Sequence, residues 1–196
     1  MSTVQFPGLL GSRAFIRPLS VADAESCVEV ESVFPPSERC SKEKFIYRLT
    51  VCPQLCLGLF VENPEAEGMP ILVGHVIGNR VARGIINGSM DMPQTWDGGN
   101  EAVILDGEVI GNDPNGRNIG VHSLAIRSEY QGKGIGRALM NEYVRYLRSS
   151  PALADNIVII TYDRLIKFYE SVGFRNLGIS DCTFGGGGWN ALELHL

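Results

Sequence analysis

Two neighbouring stretches decide the fold of this chain: Val121-His122-Ser123-Leu124-Ala125-Ile126 and Gln131-Gly132-Lys133-Gly134-Ile135-Gly136-Arg137-Ala138-Leu139-Met140. The first is a largely apolar run, which predicts a buried β-strand. The second starts as a glycine-rich loop and continues as a helix, because apolar side chains recur at helical spacing. These side chains are Ile135, Leu139, Tyr143, Tyr146 and Leu147.

The glycine loop predicts a binding site for a pyrophosphate group. The first amides of a helix lack partners within it and carry partial positive charge, and glycine lets the backbone bend until these amides converge on one anion. Two nucleotide motifs fit less well. A Walker loop needs Ser or Thr after Gly-Lys, where this chain has Gly134, and a dinucleotide fingerprint needs a third glycine, where it has Leu139. A plain surface turn before an amphipathic helix remains the alternative.

Composition limits the classes of protein to consider. The chain has 196 residues, of which 44% are hydrophobic and 20% charged, with a net charge of −5. This balance predicts one globular domain over residues 1–196, and the negative charge argues against a nucleic-acid or membrane partner. The five cysteines include no CxxC pair, so we expect reduced packing residues, a cytoplasmic location and no metal site. We also expect a monomer.

The pattern along the chain predicts a mixed α/β sheet flanked by helices. A loose lead-in is expected over residues 1–12. The elements expected after it are, in order, a strand at 14–17, a helix from 20 to about 33, a helix from 41, strands at 55–61 and 71–79 that pair as an antiparallel hairpin, the central strand and its helix, a strand at 157–161, a helix from 163, and strands at 174–179 and 191–196. Residues 83–118 predict a long inserted loop, within which residues 102–110 favour a small hairpin.

Three motifs resemble those of the GCN5-related N-acetyltransferase (GNAT) superfamily. The motifs are Gln131-x-x-Gly134-x-Gly136 after Leu-Ala-Ile, Ile16-Arg17-Pro18-Leu19 before the first helix, and Phe168-Tyr169-Glu170-Ser171-Val172-Gly173-Phe174 near the end. The resemblance implies a sheet whose central strand splays from its neighbour, and acetyl-CoA as the cosubstrate. The cofactor-binding residues that it implies are Leu124, Ala125, Ile126, Gln131, Gly132, Lys133, Gly134, Ile135, Gly136 and Tyr169.

A closer resemblance is to the arylalkylamine (serotonin) N-acetyltransferases. It is carried by Cys52-Pro53-Gln54-Leu55-Cys56-Leu57-Gly58-Leu59-Phe60-Val61-Glu62 and by His122-Ser123-Leu124-Ala125-Ile126. In that family an aromatic residue and a proline after the first helix grip the ring of the substrate, which implies substrate binding by Phe34 and by Pro35 or Pro36. The family also has two histidines two residues apart on the central strand. This chain keeps His122 but has Gly120 at the other position, so it resembles a divergent, fungal-like member.

Acetyl transfer to an amine needs a base, an oxyanion site and an acid. His122 has the intrinsic pKa of a base, and Glu38 in the substrate-side loop is the second candidate. A backbone amide near Leu124, where the family's strands part at a bulge, is expected to meet the oxyanion. Tyr169 is expected to return a proton to the CoA sulfur, with Tyr162 as the other nearby phenol.

The remaining histidines and one tryptophan have no motif around them. His75 and His195 are expected to be ordinary strand residues. Trp96 is expected either to cover the substrate mouth or to anchor the long loop.

Three hypotheses of function follow. The first is an acetyl-CoA-dependent N-acetyltransferase that acts on a small primary amine, either an arylalkylamine or a polyamine, in a ternary complex. The second is a protein lysine or N-terminal acetyltransferase, whose peptide groove the 83–118 segment is expected to obstruct. The third is a non-catalytic module that binds acetyl-CoA, because the first histidine is missing.

Overall fold

A mixed seven-stranded sheet forms the centre of the protein, in a computed structural model that describes residues 6–62, 69–150 and 153–196. The elements are β1 Ala14–Pro18, α1 Ala24–Glu31, α2 Lys42–Val51, β2 Leu57–Val61, β3 Ile71–Val81, β4 Val103–Leu105, β5 Glu108–Ile110, β6 Asn118–Ile126, α3 Ile135–Arg148, β7 Asn156–Thr161, α4 Asp163–Glu170, β8 Arg175–Ile179 and β9 Asn190–His195. The strand order is β1-β2-β3-β6-β7-β9-β8, and β6 with β7 is its one parallel pair within these residues. The predicted mixed α/β fold is confirmed.

Most of the elements predicted from local pattern are present. Strands β2 and β3 form the predicted antiparallel hairpin, although its turn at 63–68 lies outside the described residues. Strands β4 and β5 form the predicted small hairpin within 83–118, as a separate two-stranded sheet. The helix predicted to run from residue 20 to about 33 is shorter, because a 3₁₀ turn at Val21–Asp23 precedes α1.

Strands β6 and β7 separate soon after they begin. Their paired positions run only from Asn118 with Asn156 to Gly120 with Val158. The edge of β6 beyond Gly120 therefore has no strand partner on the β7 side among the residues described. Parting of parallel strands at their carboxyl ends opens a crevice, which is where open α/β sheets generally bind ligands.

A β-bulge lies in β6 at His122. In the pairing with β3, Ile77 faces Ser123 and the next residue, Gly78, faces Val121, so β6 has one extra residue at this point. A bulge disturbs the alternation of side chains and re-aims the residue that it contains. In agreement with this, Ile119 and Val121 before the bulge and Leu124 and Ile126 after it all pack in one core cluster. His122 and Ser123 consequently lie on the other face of the sheet.

Helix α3 packs on the sheet through the apolar side chains that its sequence pattern predicts. Ile135, Leu139, Tyr143 and Leu147 are buried, and Tyr146 packs against the same cluster. The Tyr143 hydroxyl donates a hydrogen bond of 2.8 Å to the carbonyl of Leu55, so the helix is also tied to the segment that leads into β2. None of the helices in the described ranges is long and apolar enough to cross a membrane.

The segment that precedes β1 differs from the predicted loose lead-in. Residues 1–5 lie outside the described part of the chain, but Phe6 is only 2% exposed and Leu9 only 6%. Both side chains belong to the core cluster that includes α3. The backbone of this segment lies close to the glycine loop, because a Cβ atom on Gly8 would lie 2.5 Å from Cβ of Lys133 in that loop. Residues 6–9 are thus part of the packed structure.

We expect Phe6→Ala to lower the free energy of unfolding by about 3–5 kcal/mol, the usual result of truncating a fully buried phenylalanine. Leu10→Ala is the matched control, because Leu10 is 79% exposed four residues away. Urea denaturation of both variants measures the difference. Equal stabilities would show that residues 6–9 add nothing to the core.

Candidate active site

A cavity of about 790 Å³ opens where β6 and β7 part. Leu124, Ala125 and Ile126 of β6 form one wall, and Phe168 and Tyr169 of α4 form another. The glycine loop and the first turn of α3 close its end. The structure therefore brings the expected β6 residues, most of the loop and Tyr169 together around one space.

The loop has the geometry of an anion site. Gly132 and Gly134 have positive φ angles of 72° and 79°, a conformation that favours glycine, and Gly134 is the N-cap of α3. The side-chain amide of Gln131 donates a 2.8 Å hydrogen bond to the carbonyl of Ile126, which ties the loop to the end of β6. The first turn of α3 contains no acidic residue, and Arg137 lines the cavity. Free helical amides and a nearby cation together suit a pyrophosphate.

The lining of the cavity differs from the expectation at two points. Lys133 does not line this cavity; its ammonium donates to the carbonyl of Glu129 at 2.9 Å. A second difference concerns the N-terminal side, where Pro7 lines the cavity beside Gly134. Sequence reasoning missed Pro7, because nothing in the local sequence indicates that residues 6–9 fold back on the loop.

The two phenols considered as the acid have different surroundings. Tyr169 lines the cavity, and burial raises the pKa of its hydroxyl to about 12. Tyr162 stacks on Trp189 with ring centroids 4.1 Å apart, and its hydroxyl donates a 3.0 Å hydrogen bond to Glu38. Burial and this carboxylate raise the pKa of Tyr162 as well. Tyr169 is thus the phenol that faces the cavity, and Tyr162 holds Glu38.

The hydrogen bonds around His122 define its tautomer. The amide nitrogen of Asn79 donates to the carbonyl of Gly111 at 2.8 Å, which leaves Oδ1 of Asn79 facing Nε2 of His122. An amide oxygen only accepts, so Nε2 bears the proton and Nδ1 has the lone pair. Nδ1 lies 2.9 Å from the sulfur of Met90, which has no proton to give. Neither His122 nor Met90 lines the cavity.

The surroundings of His122 also keep it neutral. Part of its surface is exposed, yet burial of the ring, with the nearby cations Arg48 and Lys44, holds its pKa well below the ordinary value. A neutral imidazole with a free Nδ1 is the form that accepts a proton.

Gly120, at the place of the family's first histidine, lies close against three side chains. A Cβ atom there would lie 3.1 Å from Val81, 3.3 Å from Oδ1 of Asn79 and 3.4 Å from Ile85. Those three side chains fill the space beside the bulge. The group next to His122 is therefore the amide of Asn79, which sequence reasoning did not identify.

The expected substrate loop is only partly at the cavity. Phe34 lines it, whereas Pro35 and Pro36 are exposed and outside its lining. Arg39 holds the loop in shape, with a 2.7 Å hydrogen bond from Nε to the carbonyl of Phe34 and a 2.9 Å bond from Nη2 to that of Ser32.

The structure shows the surroundings of the other two histidines and of Trp96. His195 is exposed, and its Nδ1 lies 3.0 Å from Asn156. Trp96 packs edge-on against Tyr47, and its indole donates to the carbonyl of Gly99 at 2.8 Å, so it anchors the inserted segment. His75 differs from the expected ordinary strand residue, because it is fully buried between Glu31 and Ser123. Across the described residues, no group of three or more His, Cys, Asp or Glu side chains is placed to hold a metal ion.

This chain is similar to known proteins in sequence and in structure. A family model described as "Acetyltransferase (GNAT) domain" matches residues 97–176, which include β6, the glycine loop, α3 and α4. The serotonin N-acetyltransferase of Mesocricetus auratus is 29% identical over 173 residues, covering 86% of this chain and 71% of that protein. The serotonin N-acetyltransferase of Macaca mulatta is 28% identical over 147 residues, covering 75% of this chain and 58%, less than two thirds, of that protein.

Solved structures share the fold at low sequence identity. The loading GNATL domain of CurA from Lyngbya majuscula has a TM-score of 0.64 at 15% identity and covers 93% of this chain and 97% of its own. A chain of the NatC complex bound to Gag peptide and CoA has a TM-score of 0.61 at 18% identity, with coverages of 93% and 98%. Residues 97–176 thus match the model of a GNAT acetyltransferase domain, and the solved structures, at these low identities, support the fold.

The neutral state of His122 predicts a pH dependence of stability. Its pKa is lowered in the folded protein, so the unfolded chain takes up a proton there first as the pH falls below the ordinary value of about 6.5. The contribution is fully present above that pH and is lost as the pH falls toward the folded pKa. Between pH 7.5 and pH 5.5 the urea midpoint should therefore fall more for the wild type than for His122→Gln. An equal fall of the midpoint in both proteins would contradict the lowered pKa.

Proposed function

We propose that this protein is an acetyl-CoA-dependent N-acetyltransferase that acts on a small primary amine, either an arylalkylamine or a polyamine, in a ternary complex. The observation that carries the proposal is the cavity at the parting of β6 and β7, where the glycine loop, the free edge of β6 and Tyr169 meet. The names of the relatives support an amine as the acceptor, since both are serotonin N-acetyltransferases.

Acetyl-CoA fits the residues that line this cavity. The loop amides from Gln131 to Gly136, with Arg137 beside them, would hold the pyrophosphate, and the thioester would supply the acetyl group. The amide of Leu124, on the edge of β6 that β7 leaves unpaired, is the donor proposed for the oxyanion. Tyr169 stays protonated because of its raised pKa of about 12, so it can donate to the thiolate that leaves.

His122 is the proposed base. An alkylamine with a pKa near 10 is mostly protonated at neutral pH, so a proton must leave before the nitrogen attacks. Nδ1 of His122, which carries the lone pair and contacts the sulfur of Met90, is the proposed acceptor. Methionine is unbranched and flexible, so a small movement of its side chain opens Nδ1 to a water molecule or to the amine itself.

The substrate loop supplies an aromatic face and a carboxylate. Phe34 lines the cavity and offers its ring to a flat substrate, a contact that contributes about 0.5–1.5 kcal/mol beyond the buried area. Glu38 lies outside the lining of the cavity, half-buried and fixed by the hydroxyl of Tyr162. We therefore assign Glu38 no direct contact with the amine, and its negative charge would act on the ammonium form only at a distance.

A thiol-release assay with acetyl-CoA tests the function. Tryptamine, phenethylamine, spermine and a lysine-containing peptide form the acceptor panel, with a peptide bearing a free N-terminus added. We expect release with the small amines and none above background with either peptide. Release with peptides alone would favour protein acetylation, and CoA binding without release to any acceptor would indicate a non-catalytic module.

The assignment of the loop has its own prediction. Gly134→Asp puts a side chain at φ 79° and a negative charge beside the pyrophosphate, so acetyl-CoA affinity should fall strongly. Gly98→Asp is the matched control, because Gly98 also has a positive φ, 102°, and nothing lies within 4 Å of its Cβ position. Calorimetry compares the two folded variants. An unchanged affinity in Gly134→Asp would remove the loop from the binding site.

The proton route predicts different pH profiles for two variants. His122→Gln should lower the rate by about 10²–10⁴-fold near neutral pH, with a smaller loss at high pH, where free amine is abundant. Tyr169→Phe should keep its loss at high pH, because the thiolate still lacks its donor. Profiles of kcat/KM against pH separate the two roles. A wild-type profile for His122→Gln would leave the base to Glu38 or water, and full activity of Tyr169→Phe would leave the acid to solvent.

A further inference from the structure

Three polar side chains form a hydrogen-bonded group inside the protein, away from the cavity. Nε2 of His75 on β3 lies 3.3 Å from Oε1 of Glu31 on α1 and 3.0 Å from Oγ of Ser123 on β6. His75 is 0% exposed, Glu31 is 2% exposed and Ser123 is 5% exposed. They therefore connect one helix to two strands without contact with solvent.

The protonation of the group follows from its partners. Nδ1 of His75 is buried and has no hydrogen-bond partner among the residues that the structure describes. Nε2 is therefore the ring nitrogen that donates to the group. Burial alone would raise the pKa of Glu31, but the hydrogen bond and the charge of His75, with hydrogen bonds from Ser123 and the Cys40 amide, outweigh it and lower that pKa. Glu31 is consequently a buried carboxylate, held by three donors.

The group is joined to both parts of the proposed site. Oε2 of Glu31 accepts a 3.2 Å hydrogen bond from the amide of Cys40, at the far end of the loop that contains Phe34 and Glu38. At the other end, Ser123 follows His122 directly, on the same face of the sheet as a result of the bulge. The carboxylate thus closes the loop at its base, and the serine holds the strand beside the proposed base.

Stability alone gives little reason for a buried charge in this position. Replacing a buried polar group by well-packed apolar residues is often neutral or stabilising, whereas removing one partner is strongly destabilising. The neighbours offer an apolar setting, since Phe45 packs edge-on against the ring of His75. Apolar packing is not directional, whereas these hydrogen bonds specify one position of the loop relative to the bulge.

We propose that Glu31, His75 and Ser123 are positioning residues, which hold the loop of residues 32–41 and the His122 bulge in one fixed arrangement so that amine binding and proton removal occur at the same place. The kinetic part of this inference rests on the proposed function, whereas the positioning of His122 does not.

Kinetics of Ser123→Ala test whether the group acts through His122. We expect kcat/KM for the amine to fall, by up to roughly 100-fold, the loss that a 1 Å misplacement can cause, while acetyl-CoA affinity stays unchanged. In a His122→Gln background the same change should cause no further loss, because the residue that it positions is absent. Ser149→Ala is the matched control, since the Ser149 hydroxyl is exposed at the end of α3 and bonds only to the Tyr146 carbonyl within the described residues.

The ¹⁵N resonances of the His122 ring give a second measurement, which needs no substrate. We expect the separate protonated and unprotonated nitrogen signals of the wild type to shift or merge in Ser123→Ala and to stay unchanged in Ser149→Ala. Glu31→Gln keeps the side-chain shape and replaces Ser123→Ala if that variant does not fold. Losses that add in the double variant, or ring signals unaffected by the change, overturn the proposal. If the wild type acetylates no amine, the proposed function fails, and the ring signals still decide the positioning.

Discussion

The early end of pairing between β6 and β7 is the constraint on which the site depends. Hydrogen bonds join these strands only as far as Gly120 and Val158, and beyond that point no strand within the described ranges lies on this side of β6. Unpaired backbone donors inside a protein need partners, so this edge is prepared for a ligand that supplies acceptors. The same separation makes room for the start of α3 and for Tyr169 to approach β6. A continuous ladder would close the cavity and remove the free amides together.

The bulge at His122 and the charges around it act together. The extra residue in β6 turns His122 away from the α3 side, toward Asn79 and Met90. On that side Arg48 is only 2% exposed, donates to the carbonyl of Met90 at 3.0 Å and has an Nε without a partner among the described residues. A buried guanidinium this close disfavours a second positive charge, which is one reason why the pKa of His122 is low. The bulge sets the direction of the imidazole, and the nearby charges keep the ring neutral.

Local patterns in the sequence predict those features of the fold that depend on residues close together in the chain. The periodicity of α3, the glycine loop and the two hairpins were predictable, because helical spacing and turn residues act over a few positions. The bulge at His122 was expected nearer to Leu124, and its true position depends on the register with β3. The burial of Phe6 and the role of Asn79 depend on contacts with residues far along the chain. His75 shows the limit most clearly, since Glu31 and Ser123 lie 44 and 48 residues away in sequence.

The replacement of the first family histidine by Gly120 is part of the packing of this site. Val81, Ile85 and Asn79 occupy the space that a side chain at position 120 would enter. Asn79 in turn cannot move aside freely, because its amide nitrogen is bonded to the carbonyl of Gly111 in the inserted segment. The glycine, the asparagine and the insertion are therefore coupled: with the insertion docked, the amide faces His122 and fixes its tautomer. A side chain at position 120 would require these neighbours to shift by a few tenths of an ångström, which would disturb the amide that faces His122.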